Sequence, residues 1–116
     1  GAPAARPLFL ARFCAGWVYA GMVTVGVSLM EKARRYGDAA DALHLLLSGG
    51  ACPGRRGSWW LRLSIDLEHT GAADNALLAA EAGVADPWVR HGDLLALRRR
   101  VLRLGKPPRR WKKPGW

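Results

Sequence analysis

The sequence predicts an all-α fold of about five helices arranged in antiparallel hairpins. Two observations carry that prediction. Apolar residues recur three and four positions apart over most of the chain. Residues that start helices (Asp38, Ser58, Asp86-Pro87) and residues that stop them (Gly49, Gly71, Gly105) divide the chain into stretches of ordinary helix length. At 116 residues, half of them apolar, the chain is one domain or a piece of a larger protein, with enough apolar side chains for a modest core.

Residues 1–15 read as an irregular lead-in, because Gly1 to Arg12 holds two prolines and no clear period. The helical region follows over residues 16–104. Trp17 to Arg35 is apolar nearly all round and ends in Glu31, Lys32, Arg34 and Arg35, as a largely buried helix with a cationic last turn would. The β-branched Val18, Val23, Thr24, Val25 and Val27 also suit a strand. The unbroken run into a charged end, followed by Gly37, favours the helix. Gly16 to Met30 is an apolar run of only 15 residues interrupted by Gly21 and Gly26, too short to span a bilayer. It reads as a buried helix, and no membrane partner is expected; a basic amphipathic surface helix for anionic membranes is the least favoured reading, because the basic tail is broken by prolines.

Asp38 predicts the N-cap of a second helix that Gly49 ends, with Ala39, Ala42, Leu43, Leu46 and Leu47 on one face. A glycine-rich loop with Pro53 runs to Gly57. Ser58 predicts the cap of a third helix, with Trp60, Leu63 and Leu67 on one face and Gly71 as its stop. Ala73 to Val84 is a fourth helix of small and aliphatic residues. Asp86-Pro87 predicts the start of a fifth, which runs to Leu104 and ends at Gly105 and Pro107-Pro108. Residues 105–116 form a basic, proline-rich linker.

Charge is confined to one end. From Trp88 onward there are ten Lys and Arg and one acid, Asp93, which accounts for the whole net charge of +9. The residues before it carry eight basic and eight acidic side chains. An excess so placed suits an anionic partner, nucleic acid first. Arg99, Arg100 and Arg103 share parts of one helix surface, and Lys106, Arg109, Arg110, Lys112 and Lys113 follow in the linker, with Trp111 interleaved as a stacking face. A solvated helix face beside the C-terminal dipole explains the helical set equally well. No catalytic or metal-binding residue is assigned: His44, His69 and His91 lack ligand spacing, and Cys14 and Cys52 form no disulfide framework.

Trp60, Leu63, Ser64, Leu67, Gly71, Ala76, Ala80 and Pro87 fit the tetratricopeptide pattern, and Tyr36 and Ala39 align with Ala73 and Ala76 at an offset of 37. A more specific likeness covers roughly Gly16 to Pro114. GWVY, then EKARRYGDAADA, CPGRRGSWWLRL and ADPWVRHGDLLALRRR follow in the order of the helical-repeat region of the Fanconi-associated nucleases, which the chain closely resembles. GKPPRRWK resembles plant and algal members in particular.

The resemblance implies a nuclear DNA-repair nuclease of interstrand crosslinks, a 5′-flap endonuclease and 5′–3′ exonuclease. The order of its parts is a DNA-binding domain, a helical-repeat domain and a nuclease domain that uses Mg²⁺ or Mn²⁺. This chain corresponds to the non-catalytic middle part, with no cofactor of its own. Branched or flap DNA and other domains of the same chain are the implied partners, with a homodimer as an open alternative. The resemblance adds Arg55, Arg56, Arg62 and Arg90 to the DNA-binding candidates. The sequence departs from the family at Leu94, where animal members carry an arginine that serves the pocket for the flap's 5′ phosphate. A competing reading is a protein-interaction module whose basic face meets an acidic partner.

Overall fold

A computed structural model describes residues 5–49 and 52–105, with side chains from residue 18 onward. Five α-helices follow in order: α1 (Ala5–Lys32), α2 (Tyr36–Ser48), α3 (Arg56–His69), α4 (Ala73–Ala85) and α5 (His91–Leu104), with a 3-10 turn at Pro53–Arg55. Each helix packs on the next, and α3 also meets α5. The molecule is 19 Å across its shortest dimension, the thickness of two helices. One layer holds the outer helices α1, α3 and α5, and the other holds α2 and α4.

The chain repeats itself at the offset seen in the sequence. Moving 37 positions from α1 to α3 carries Ala20 to Gly57, Val27 to Ser64 and Glu31 to Glu68; from α2 to α4 it carries Ala39 to Ala76, Ala40 to Leu77 and Leu43 to Ala80. Except for the two glutamates, every residue so paired is buried. Helix ends repeat as well. Arg34 (φ 59°) and Gly71 (φ 86°) are both left-handed and both terminate an outer helix. Arg35 N–H reaches Met30 O at 2.8 Å, and Ala72 N–H reaches Leu67 O at 3.0 Å. These closures satisfy carbonyls that the helix end leaves open.

Two cores result. Ala20, Val27, Ala39, Leu43, Trp59 and Leu63 belong to the first, and Ala76, Leu77, Ala80, Leu97, Val101 and Leu104 to the second. Trp60 and Leu67 pack on both. Gly83 lies where α3, α4 and α5 meet closely, since a Cβ there would stand 2.8 Å from both Leu97 Cδ1 and Trp60 Cβ.

The structure corrects several expected boundaries. The stretch read as an irregular lead-in is helical from Ala5. Pro7 is compatible with this, because it lies in the first turn, where its missing N–H has no intrahelical partner to lose. Asp38 is not an N-cap: α2 starts at Tyr36, and Asp38 sits in its first turn, paired with Arg35 at 2.7 Å. Gly37 lies inside α2, and the α1 stop is Arg34 instead. Ser58 is exposed within α3, which begins at Arg56 directly after the 3-10 turn. Asp86 does not start α5. It is the C-cap of α4, and Asp86 to Val89 form a turn in which the Trp88 N–H meets Asp86 Oδ1 at 3.0 Å. Helix α5 starts at His91 after an extended Arg90. Of the tryptophan pair, Trp59 is the one sealed in the core, at 1% exposure, whereas Trp60 is half-buried.

Candidate nucleic-acid interface

The repeat geometry determines which arginines are occupied within the chain. Arg62 of α3 points back at α1. Its Nη2 donates to Glu31 Oε1 at 2.6 Å and to Ser28 Oγ at 3.0 Å. Arg100 of α5 points back at α3 in the same way, with Nη2 donating to Glu68 Oε1 at 2.8 Å. Its Nε donates to Ser64 Oγ at 2.9 Å, and that buried hydroxyl donates to Ala76 O at 2.8 Å. Arg103 completes the set with two bonds to Glu68, at 2.6 and 2.9 Å.

Arg56 holds a second junction. Its Nε donates to Asp86 Oδ2 at 2.7 Å, and its Nη1 donates to Leu47 O at 2.9 Å. The Trp60 indole N–H donates to the same Asp86 oxygen at 2.9 Å. One side chain thereby ties the end of α2, the start of α3 and the α4–α5 turn. An open groove of about 580 Å³ lies here, lined by Pro53, Arg56, Ala82, Asp86, Pro87 and Trp88 among others, and its two charged residues neutralise each other.

The carboxylates register these contacts. The Arg103 and Arg100 guanidinium groups hold Glu68 down at about 2. At Asp86, partial burial opposes ionisation, but bonds from Trp60, the Trp88 amide and Arg56 prevail and keep it below the usual range. Glu31 behaves likewise: burial is outweighed by bonds from Arg62 and Asp66. Asp66 goes the other way. It is 1% exposed, and burial followed by the neighbouring Glu31 pushes it up to about 8. Burial and the adjacent Glu31 carboxylate thus both favour the protonated form of Asp66.

Four candidate arginines thus have intrachain partners: Arg56, Arg62, Arg100 and Arg103. Arg55 also makes a contact within the protein. Arg90 and Arg99 differ. Both are exposed, and neither has a carboxylate partner among the described residues. The Arg90 guanidinium lies against Gly54, where a Cβ would come within 2.8 Å of its Nη2. Lys106, Arg109, Arg110, Trp111, Lys112 and Lys113 fall outside the described residues. Leu94 is half-buried in α5. Among the described residues, no group of three or more His, Cys, Asp or Glu is placed to hold a metal, and no helix is long and apolar enough to cross a membrane.

Residues 3–105 match the family described as Fanconi-associated nuclease 1, TPR domain. The chain belongs to this family. It is 54% identical over 110 residues to a Fanconi-associated nuclease 1 homolog of Oryza sativa subsp. japonica, covering 95% of this chain and 11% of that protein. A homolog from Arabidopsis thaliana is 54% identical over 103 residues, 89% of this chain and 12% of the relative. Fanconi-associated nuclease 1 of Homo sapiens is 36% identical over 104 residues, 88% of this chain and 10% of the human protein. The chain spans about a tenth of the length of these relatives. The family's TPR domain accords with the five-helix array and with the 37-residue repeat that builds it.

Proposed function

We propose that the chain is the non-catalytic helical-repeat part of a DNA-repair nuclease, a 5′-flap endonuclease and 5′–3′ exonuclease acting in interstrand crosslink repair in the nucleus. Its role is to contact the backbone of branched or flap DNA and to dock other domains of the same protein. Mg²⁺ or Mn²⁺ belongs to the nuclease domain and not to this helical array.

One observation carries the reading. The carboxylates of the array engage Arg56, Arg62, Arg100 and Arg103, while Arg90 and Arg99 remain exposed without a carboxylate partner among the described residues. The linker adds Lys106, Arg109, Arg110, Lys112 and Lys113 on the same side of the sequence. Cations left over after internal pairing are available to neutralise phosphates and release condensed counterions. Trp111 supplies an aromatic face for an unstacked base. Arg55, Arg56, Arg62, Arg100 and Arg103 serve mainly to position the surface.

The test is binding of a labelled 5′-flap by the full-length protein over a range of salt. Arg90→Ala with Arg99→Ala should reduce the log–log salt slope by about 0.9 for each phosphate that is no longer neutralised. An unchanged slope, or a wild-type slope near zero, overturns the DNA role and favours an acidic protein partner. Cleavage of the flap by the 116-residue chain alone, with Mn²⁺ present, overturns the non-catalytic assignment.

A further inference from the structure

Helix α1 carries an uncovered stripe of large apolar side chains. Val18, Met22, Val25 and Leu29 are spaced four, three and four apart, so they share one face, and they are 57%, 69%, 61% and 60% exposed. Tyr19 beside them is 52% exposed. Single exposed apolar residues are ordinary, but a continuous stripe marks a contact surface.

The repeat shows what such a face does. At the offset of 37, Met22, Val25, Gly26 and Leu29 of α1 correspond to Trp59, Arg62, Leu63 and Asp66 of α3. Those four are how α3 packs on the hairpin before it. Trp59 and Leu63 fill the first core, and Arg62 and Asp66 bond to Glu31 of α1. The other face of α1 is already in that core, with Ala20 and Val27 buried and Met30 partly buried against them. The stripe is therefore the surface that each outer helix presents to whatever precedes it in the array.

We propose that an apolar helix of the same polypeptide, N-terminal to Gly1, packs on the Val18–Leu29 stripe of α1. This rests on the reading of the chain as a segment of a longer nuclease, of which the relatives have about nine tenths outside the matched region. The chemistry of the stripe fixes the nature of the occupant. Where α3 offers Arg62 and Asp66 to a glutamate, α1 offers Val25 and Leu29, so no ion pair is presented and the contact is apolar. Gly26 replaces the core-filling Leu63, and no atom lies within 4 Å of a Cβ built on it. The incoming helix brings a bulky side chain into that notch.

The test places a photo-crosslinking amino acid at Met22 of the full-length protein and maps the product by mass spectrometry. The expected result is a crosslink within one polypeptide to residues before Gly1. Crosslinked dimers joined through the stripe, crosslinks to residues after Trp116, or no crosslink would each overturn the proposal. In parallel, Met22→Glu with Leu29→Glu should lower the Tm of the full-length protein, whereas Leu45→Glu, on an exposed position of α2, should not. Equal effects overturn the proposal. Loss of flap binding in the Arg90 and Arg99 variant is read separately, so failure of the functional reading and failure of this contact are distinguishable.

Discussion

Glu31 and Glu68 occupy the same position in successive outer helices, 37 residues apart, and each accepts a short hydrogen bond from an arginine of the next outer helix. Arg62 and Arg100, 38 residues apart, play the matching part. The extra residue falls between α3 and α5, consistent with the turn at Asp86 to Val89. The array is thus held by two apolar cores, each shared between a hairpin and the helix that follows it, and by a recurring Glu–Arg clasp between α1 and α3 and between α3 and α5.

The clasp predicts unequal effects of arginine removal. Arg62→Ala leaves Glu31 facing Asp66 with no cation, and Arg62 and Glu31 side chains are only 24% and 25% exposed. Loss of about 1–3 kcal/mol is expected. Arg99→Ala, at an exposed position with no such partner, should change stability by less than about 0.5 kcal/mol. Urea unfolding of both variants checks this, and equal effects would remove the structural role given to Arg62.

Asp66 predicts a pH dependence. Its carboxyl is pushed up to about 8 in the folded protein, chiefly by burial and then by Glu31. A group whose folded pKa is raised contributes stability below its unfolded pKa, near 4, and that contribution is lost as pH rises through the folded value. Melting temperature should therefore fall as pH increases from about 5 to 8. Asp66→Asn keeps a donor for Glu31 and cannot ionise, so its Tm should be nearly flat across that range and higher than wild type at the alkaline end. Glu68 acts with the opposite sign. Held at about 2 by Arg103 and Arg100, it supports the fold above its unfolded value, with the support lost as pH falls toward 2.

Gly83 predicts a packing penalty. A methyl group there would meet Leu97 Cδ1 and Trp60 Cβ at 2.8 Å, and Trp60 Cβ cannot move without shifting α3. Gly83→Ala should destabilise by about 1–3 kcal/mol despite the better helix propensity of alanine. Gly37→Ala, in the first turn of α2 with nothing within 4 Å, should be neutral or stabilising. Thermal unfolding of the pair separates close approach from propensity.

What the sequence made legible follows from the range of the interactions involved. Gly49 and Gly71 read correctly as stops because a helix end is a local event, and the Ala39–Ala76 correspondence read correctly because both lie where helices touch. Asp86 was misleading because its role is decided at long range: one oxygen is claimed by Arg56 and Trp60, 30 and 26 residues away. Trp59 and Trp60 are adjacent, so their assignment depends on the helix rotation that the array imposes. Charge counting found a basic end but gave no sign of which arginines are paired. The signal that could have revealed the clasp is the Glu31–Glu68 spacing, each followed 31 or 32 residues later by an arginine.

The repeated helix end yields the last prediction. Arg34 and Gly71 stand at equivalent positions, 37 residues apart, and both are left-handed. Glycine adopts that conformation without a steric penalty, whereas arginine carries a Cβ that crowds the backbone by about 1–2 kcal/mol. Arg34 is exposed, makes no ion pair among the described residues and is not used by either core. Arg34→Gly copies the solution already present at Gly71. The gain is partly offset by the greater freedom of glycine in the unfolded chain, so a net stabilisation of about 0.5–1 kcal/mol is expected. The reciprocal change, Gly71→Arg, should destabilise by a similar or larger amount. If Arg34→Gly lowers the Tm, the Arg34 side chain must hold the α1–α2 corner by a contact that outweighs its backbone strain.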